Sequence, residues 1–204
     1  MAKQAYVYSG TDWVPLASEV TNLSGYYTKG EVDTNFRTKA STGLVLLNTQ
    51  TFSAVGSVSL PQDTFTSTYD NYRMTIRFRT STGAELRWRG RVAGSDNTTA
   101  NYVYQIFENY GNAITATRAI GQTSGYAGYC DGGTGDHALI LEMIDPKATQ
   151  PTALFGNEIR GYSGTPLNMQ TFSGFTATTS FDSATFFPSG GTITGTLSVY
   201  GYNK

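Results

Sequence analysis

The sequence predicts a mainly β protein: an antiparallel, jelly-roll-like β-sandwich preceded by a short helix. Most of the 204 residues fall into short segments in which apolar and polar residues alternate, as in half-buried strands. Turn residues separate these segments roughly every eight to twelve positions, a spacing typical of sandwiches and jelly rolls. Only 14% of the residues are charged, whereas 39% are apolar and 13% aromatic, so the composition favours a folded β protein over a disordered chain.

The clearest helix signal lies within residues 26–42. Thr28 and Glu31 have the spacing of a capping box, in which the hydroxyl and the carboxylate satisfy free backbone N–H groups. The predicted helix has only about three turns, a length that is marginal in isolation. Its apolar pair, Val32 and Phe36, has no partner within the chain, so we expect copies of the chain to cover it. The predicted trimerisation residues are Tyr27, Val32 and Phe36.

Before this helix, residues 1–25 hold a short aromatic segment with a Ser-Gly turn. Its candidate anchor residues are Tyr6, Tyr8 and Trp13. Rings of this size need a partner surface, which is either the chain's own β body or another protein into which the segment docks. The sequence therefore divides into an anchor (1–25), an oligomerisation helix (26–42) and a β-sandwich head (43–204).

Within the head, the alternation predicts twelve strands. Two of them, joined by a tight connection at Gly83, are expected to form one hairpin with an apolar face and an arginine face. The predicted strands are 44–52, 55–60, 72–80, 85–92, 102–107, 113–120, 126–130, 138–144, 153–160, 169–175, 180–187 and 192–202.

The positive charges on the arginine face predicted for this hairpin need partners that offset their repulsion, because like charges opposite each other across strands repel. Three sources are open: carboxylates of the same chain (Glu142, Glu158 or Asp182), acidic groups or carbonyls of a neighbouring subunit, or an anionic ligand such as a lipopolysaccharide phosphate. The candidate intersubunit or anion-binding residues are Arg73, Arg77, Arg79, Arg87, Arg89 and Arg91.

Tyrosines cluster next to turns rich in glycine and asparagine. Such rings either close the ends of a β core or stack on sugars while their hydroxyls form hydrogen bonds. The candidate glycan-binding residues are Tyr102, Tyr104, Tyr110, Tyr126 and Tyr129.

The segment 130–137 contains the only cysteine and the only histidine of the chain. Cys130 and His137 would act as nucleophile and base only if they met across the turn and a third group oriented the imidazole. Zinc needs more ligands of this kind, and the glycine-rich stretch lacks the tandem repetition of calcium-binding repeats. We interpret the segment as a polar turn, and we predict no catalytic residues, no metal and no cofactor.

Charge and targeting signals restrict the partners. A net charge of −1 gives no electrostatic support for binding nucleic acid, and no apolar run is long enough to cross a membrane. A single cysteine excludes a disulfide framework. Because no export signal precedes the first strand, we expect synthesis in a host cytoplasm.

Five stretches resemble parts of bacteriophage tail fibres and related virion proteins. YYTKGEVD looks like their linker helices, and AYVYSGTDWVPLASEV is similar to the N-terminal stretch of phage minor structural proteins. GLVLLNTQTF, TFTSTYDNYRMTIRF and TITGTLSVYGYNK resemble their β-rich C-terminal modules.

This resemblance implies a non-enzymatic virion protein on the tail or capsid exterior, a homotrimer held to other virion proteins by its N-terminus. The expected function is that of a short tail fibre, a multivalent adhesin for a host-surface glycan. The alternative is a capsid decoration or head-fibre protein that stabilises neighbouring capsid subunits.

Overall fold

The computed structural model describes residues 6–8, 11–15, 43–110, 113–133, 135–161 and 166–203. The chain divides into two compact units, residues 1–42 and 43–204. The first contains an antiparallel hairpin in which Tyr6 pairs with Pro15 and Tyr8 with Trp13, so the predicted anchor residues lie on its two strands. The predicted helix at 26–42, with Tyr27, Val32 and Phe36, falls outside the described residues.

The described residues form fifteen strands. They are β1 (Tyr6–Tyr8), β2 (Trp13–Pro15), β3 (Leu44–Val55), β4 (Val58–Ser59), β5 (Asn71–Thr80), β6 (Ala84–Val92), β7 (Ser95–Asp96), β8 (Tyr102–Tyr110), β9 (Ala113–Gln122), β10 (Gly125–Cys130), β11 (His137–Ile144), β12 (Thr152–Gly161), β13 (Pro166–Phe175), β14 (Ser183–Pro188) and β15 (Ile193–Tyr202). The mainly β fold predicted from the alternation is confirmed. Among the described residues, no helix has the length and apolarity needed to cross a membrane.

The second unit contains two antiparallel sheets. The larger has eight strands in the order β3-β15-β5-β11-β12-β13-β8-β9. The smaller runs β10-β6-β14-β4, with β7 added beside β6. Strand β10 packs on β12 and β13, so the two sheets enclose a common core, as in a β-sandwich.

The core follows from the alternation along each strand. In β5, Tyr72, Met74, Ile76 and Phe78 are buried between the sheets. They meet Trp88 and other inward residues of the smaller sheet in one apolar cluster. The polar residues between them point away from the core, as the two-residue period of a strand requires.

The polar atoms of two large aromatic side chains in the core, Trp88 and Tyr102, find partners. The indole Nε1 of Trp88 donates to Oγ of Ser173 at 3.0 Å. Tyr102 packs edge-on against Trp88 and donates its hydroxyl to the carbonyl of Asn97 at 2.9 Å. The amide of Gly90 in turn donates to the same hydroxyl at 3.0 Å. These bonds allow a tryptophan and a tyrosine to be buried at little cost.

The predicted hairpin of residues 72–80 and 85–92 is wrong. Strand β5 pairs with β11 and β15 in the larger sheet, whereas β6 pairs with β10, β14 and β7 in the smaller one. The short connection 81–83 therefore crosses from one sheet to the other. Alternation reveals which residues face the core but not which strand lies alongside. A hairpin within one sheet and a connection between two sheets therefore look alike in sequence.

A second difference concerns residues 55–60, which were predicted to form a strand. Strand β3 instead continues to Val55, passing through Ala54 in a left-handed conformation (φ 51°). The amide of Ala54 donates to Oγ1 of Thr194 at 2.9 Å, where the register against β15 shifts. This bulge lies between the two predicted strands, 44–52 and 55–60, and β3 continues through it. The next strand contains only Val58–Ser59.

Candidate functional site

A cysteine, a histidine and a glutamate meet where β10 covers the larger sheet. Nδ1 of His137, the first residue of β11, lies 3.2 Å from Oε1 of Glu158 in β12. The other carboxylate oxygen of Glu158 accepts the backbone N–H of Tyr129 at 2.8 Å. Cys130, which ends β10, hydrogen-bonds to His137, and its Sγ accepts the Thr80 amide at 3.3 Å.

These hydrogen bonds shift the pKa values of His137 and Cys130. Burial by itself would lower the pKa of His137, but hydrogen bonds to Cys130 and Glu158 outweigh it and raise the pKa to about 9. Burial opposes ionisation of the Cys130 thiol, yet hydrogen bonds from His137 and Thr80 prevail and lower its pKa. A protonated His137 imidazole is therefore the expected state at neutral pH, and the Cys130 thiol beside it ionises more readily than burial alone would allow.

The same three residues are closed to solvent. Cys130 and Glu158 are 0% exposed and His137 is 3% exposed. A substrate could not reach the sulfur without displacing β10, so the group has the components of a nucleophilic site but no access. It acts instead as a polar clasp that ties β10 to β11 and β12. The sequence indicated Cys130 and His137 but not Glu158, which follows His137 by 21 positions and comes close only through pairing of the strands.

On the outer surface of the smaller sheet, Arg87 lies between two tyrosine rings. Its guanidinium carbon is 5.0 Å from the ring centre of Tyr104 and 5.4 Å from that of Tyr126. It also forms an ion pair with Glu85 in the same strand. Two of the predicted residue sets, the arginines and the tyrosines, therefore meet at one place, where β10 and β6 approach β8. We call Glu85, Arg87, Tyr104, Tyr126 and Tyr129 the arginine–tyrosine cluster.

The next two arginines of β6 are paired differently. Arg89 stacks over the ring of Phe187 at 4.6 Å and donates to the carbonyl of Thr123 at 3.0 Å. Arg91 lies 3.3 Å from the carboxylate of Asp96 in β7, which Arg89 approaches at 3.9 Å. All three β6 arginines are thus neutralised within the chain.

The other three arginines belong to β5 and face outward from the larger sheet. Arg73 pairs with Glu142 at 3.4 Å, whereas Arg77 and Arg79 share Asp136 at 2.9 and 3.2 Å. The single arginine face expected from the sequence therefore does not exist. Its six members form two separate surfaces on opposite sides of the sandwich, each compensated by carboxylates of the same chain.

The other two carboxylates considered as partners lie elsewhere. Glu158 is part of the buried clasp, and Asp182 accepts the amide of Ala93 at 2.6 Å. Of the three carboxylates, Glu142 alone pairs with a predicted arginine within the described residues.

The candidate glycan-binding tyrosines differ in accessibility. Tyr102 and Tyr126 are buried, and burial raises the pKa of Tyr102 to about 12. Neither ring can be reached by a ligand, so both leave the candidate set. Tyr104 and Tyr129 are half-buried. The side chain of Tyr110, at the end of β8, lies outside the described residues.

The larger sheet presents a broad surface to solvent, which we call the outer face. Directly paired residues share a face of a sheet, so one row crosses it from Gln105 through Phe172, Phe155 and Glu142 to Arg73. Along β12, β13 and β8, none of the described outward residues is charged. They are Ala153, Phe155, Asn157, Ile159, Asn168, Gln170, Phe172, Gly174, Val103, Gln105, Phe107 and Asn109.

Aromatic and aliphatic side chains are concentrated in this uncharged part. Phe172 packs edge-on against both Phe155 and Phe107, with ring centres 5.6 and 6.0 Å apart, yet these three rings remain 37–42% exposed. Ile140 and Ile159 are exposed beside them. Two shallow depressions of about 510 and 540 Å³ lie along the same face. The sequence carries no signal for this patch, because it forms only through the pairing of β12, β13 and β8.

Among the described residues, no group of three or more histidine, cysteine, aspartate or glutamate side chains is placed to hold a metal ion. Comparison of the chain with protein-family models, with curated proteins and with solved structures finds no match in any of the three.

Proposed function

We propose that the protein is a non-enzymatic structural component of a bacteriophage virion, a short tail fibre that acts as a multivalent adhesin for a host-surface glycan. In this proposal the segment 1–25 attaches to another virion protein, the helix at 26–42 joins three chains, and the jelly-roll-like sandwich meets the host. The resemblance of several stretches to phage fibre proteins supports it, as does the closure of the nucleophile–base group beneath β10.

The observation that carries the adhesive role is the arginine–tyrosine cluster. The guanidinium of Arg87 lies against the Tyr104 ring and is held by Glu85, so the surface is ordered before any ligand arrives. A tyrosine offers a ring for stacking and a hydroxyl for hydrogen bonding, and Tyr129 lies on the same side of the smaller sheet. Each such site is weak, and three on one stalk would bind a dense array far more tightly.

The experiment is binding of the full chain to an array of purified bacterial lipopolysaccharides and capsular polysaccharides. We expect saturable binding to a restricted set of them. The variants Tyr104→Ala and Tyr129→Ala should weaken it by roughly tenfold per site, the value of one aromatic contact. Tyr200→Ala, which removes a half-buried tyrosine from the larger sheet, is the matched control. Uniform failure to bind, or equal loss in the control, would contradict the adhesive role.

A capsid decoration or head-fibre protein is the second candidate. The uncharged aromatic surface of the larger sheet favours it, because such a surface suits a protein neighbour better than a sugar. This role predicts binding to purified empty capsids and none to the polysaccharide array.

A further inference from the structure

We infer that the outer face of the larger sheet is the surface through which copies of this chain pack against one another. The inference rests on the proposed association of copies, and it assigns to that association a surface in the described β-sandwich rather than in the helix alone. Contiguous exposed apolar patches of this kind are uncommon on monomeric proteins, where they mark contact sites.

The distribution of charge on the outer face matches that of a protein interface. Its centre, on β12, β13 and β8, has aromatic and aliphatic side chains and neutral amides but no described charge. Charges occur on the flanking strands: Arg73 and Arg77 with their carboxylates to one side, and Arg118 on β9 to the other. An aromatic centre without charge and a polar rim is the usual arrangement at interfaces.

The area is sufficient for a stable contact. Eight strands about 4.8 Å apart and about ten residues long cover roughly 1,200 Å². A standard interface takes about 800 Å² from each partner. The face therefore exceeds what one copy must contribute, even if part of it stays in contact with water.

A second copy is the occupant that the charges favour. Because the centre is uncharged, the faces of neighbouring copies can meet around a common axis without opposing like charges. Their rims have both signs, with arginines beside Glu142 and Asp136, so ion pairs can form from one copy to the next. A partner of a different kind would be recognised more readily by a face with one dominant sign.

The test uses the full-length protein and two measurements. Hydroxyl-radical oxidation reports whether Phe155 and Phe172 are covered, and sedimentation equilibrium reports association. We expect both rings to be protected in the wild type, and Phe172→Lys to weaken association at least tenfold. Val92→Lys places the same charge at an exposed apolar position of the smaller sheet and should leave association unchanged. Circular dichroism verifies that both variants remain folded.

A helix variant, Val32→Lys with Phe36→Lys, separates this inference from the proposed stalk. Association that survives in the helix variant but is lost on adding Phe172→Lys supports the outer face and removes the need for the helix. Loss of association in the helix variant, with both rings freely oxidised in the wild-type oligomer, overturns the inference and leaves the stalk intact. Protection that arises only after other virion proteins are added assigns the face to a different partner and also overturns it.

Discussion

His137 and Glu158 lie 3.2 Å apart in neighbouring strands of the larger sheet, and both are sealed from water. An isolated buried carboxylate is costly, but this one accepts a backbone N–H and faces a histidine that can be protonated. The pair therefore holds the edge strand β10 to the sheet beneath it.

The first prediction concerns the titration of His137. Its folded-state pKa, about 9, is above the ordinary value of 6.5, so protonation stabilises the fold. This contribution is complete below about pH 6.5 and is lost as the pH rises through about 9. Because the chain has one histidine, its NMR signal is unambiguous. The midpoint should lie near 9 in the folded protein and near 6.5 in urea; a folded-state midpoint at or below 6.5 would refute the pairing.

Cys130 is predicted to be unreactive in spite of its lowered pKa. Thiolate character usually favours alkylation, but a sulfur that is 0% exposed cannot be approached. Incubation with iodoacetamide followed by mass spectrometry should show no adduct on the native protein and one adduct after unfolding in guanidinium. Rapid alkylation of the native protein would mean that the site opens, and would restore the nucleophile hypothesis.

Glu158→Gln is expected to destabilise the fold by about 1–3 kcal/mol, because it removes the charge that His137 faces while preserving the shape of the side chain. Glu142→Gln is the matched control. Glu142 pairs with Arg73 near the surface, so its loss should cost less than about 1 kcal/mol. Urea unfolding compares the two, and equal effects would indicate that the buried pair has no special role.

Gly195→Ala tests the close contact between β15 and β5. A Cβ at Gly195 would lie 2.1 Å from the carbonyl oxygen of Arg77, a backbone atom that cannot move without shifting the strand. We expect a loss of more than about 2 kcal/mol in thermal unfolding. Gly56→Ala is the control, since a Cβ there meets no atom within 4 Å. A neutral Gly195→Ala would show that the two strands are farther apart.

The sequence identified most strands of the head because each has an inward apolar row, as in Tyr72, Met74, Ile76 and Phe78. It failed on strand partners: Arg77 and Arg87 were expected on one hairpin, although their strands belong to different sheets. Alternation defines the face that each residue occupies, whereas pairing depends on contacts between distant segments.

Residues of the candidate site could be predicted to lie together only where they are close in sequence. Cys130 and His137 flank one turn and could be considered together, but Glu158 joins them through the pairing of β11 with β12. Similarly, Arg87 and Tyr104 were identified separately, and their contact depends on the approach of the smaller sheet to β8. The aromatic patch of Phe107, Phe155 and Phe172 depends on strand order in the same way.

The proposed function depends above all on association of three chains, because multivalent attachment requires several sites on one particle. Sedimentation equilibrium of the full-length protein at micromolar concentration measures this directly. The proposal predicts a mass three times that of the 22.0 kDa chain. A stable, fully folded single chain at that concentration would contradict it.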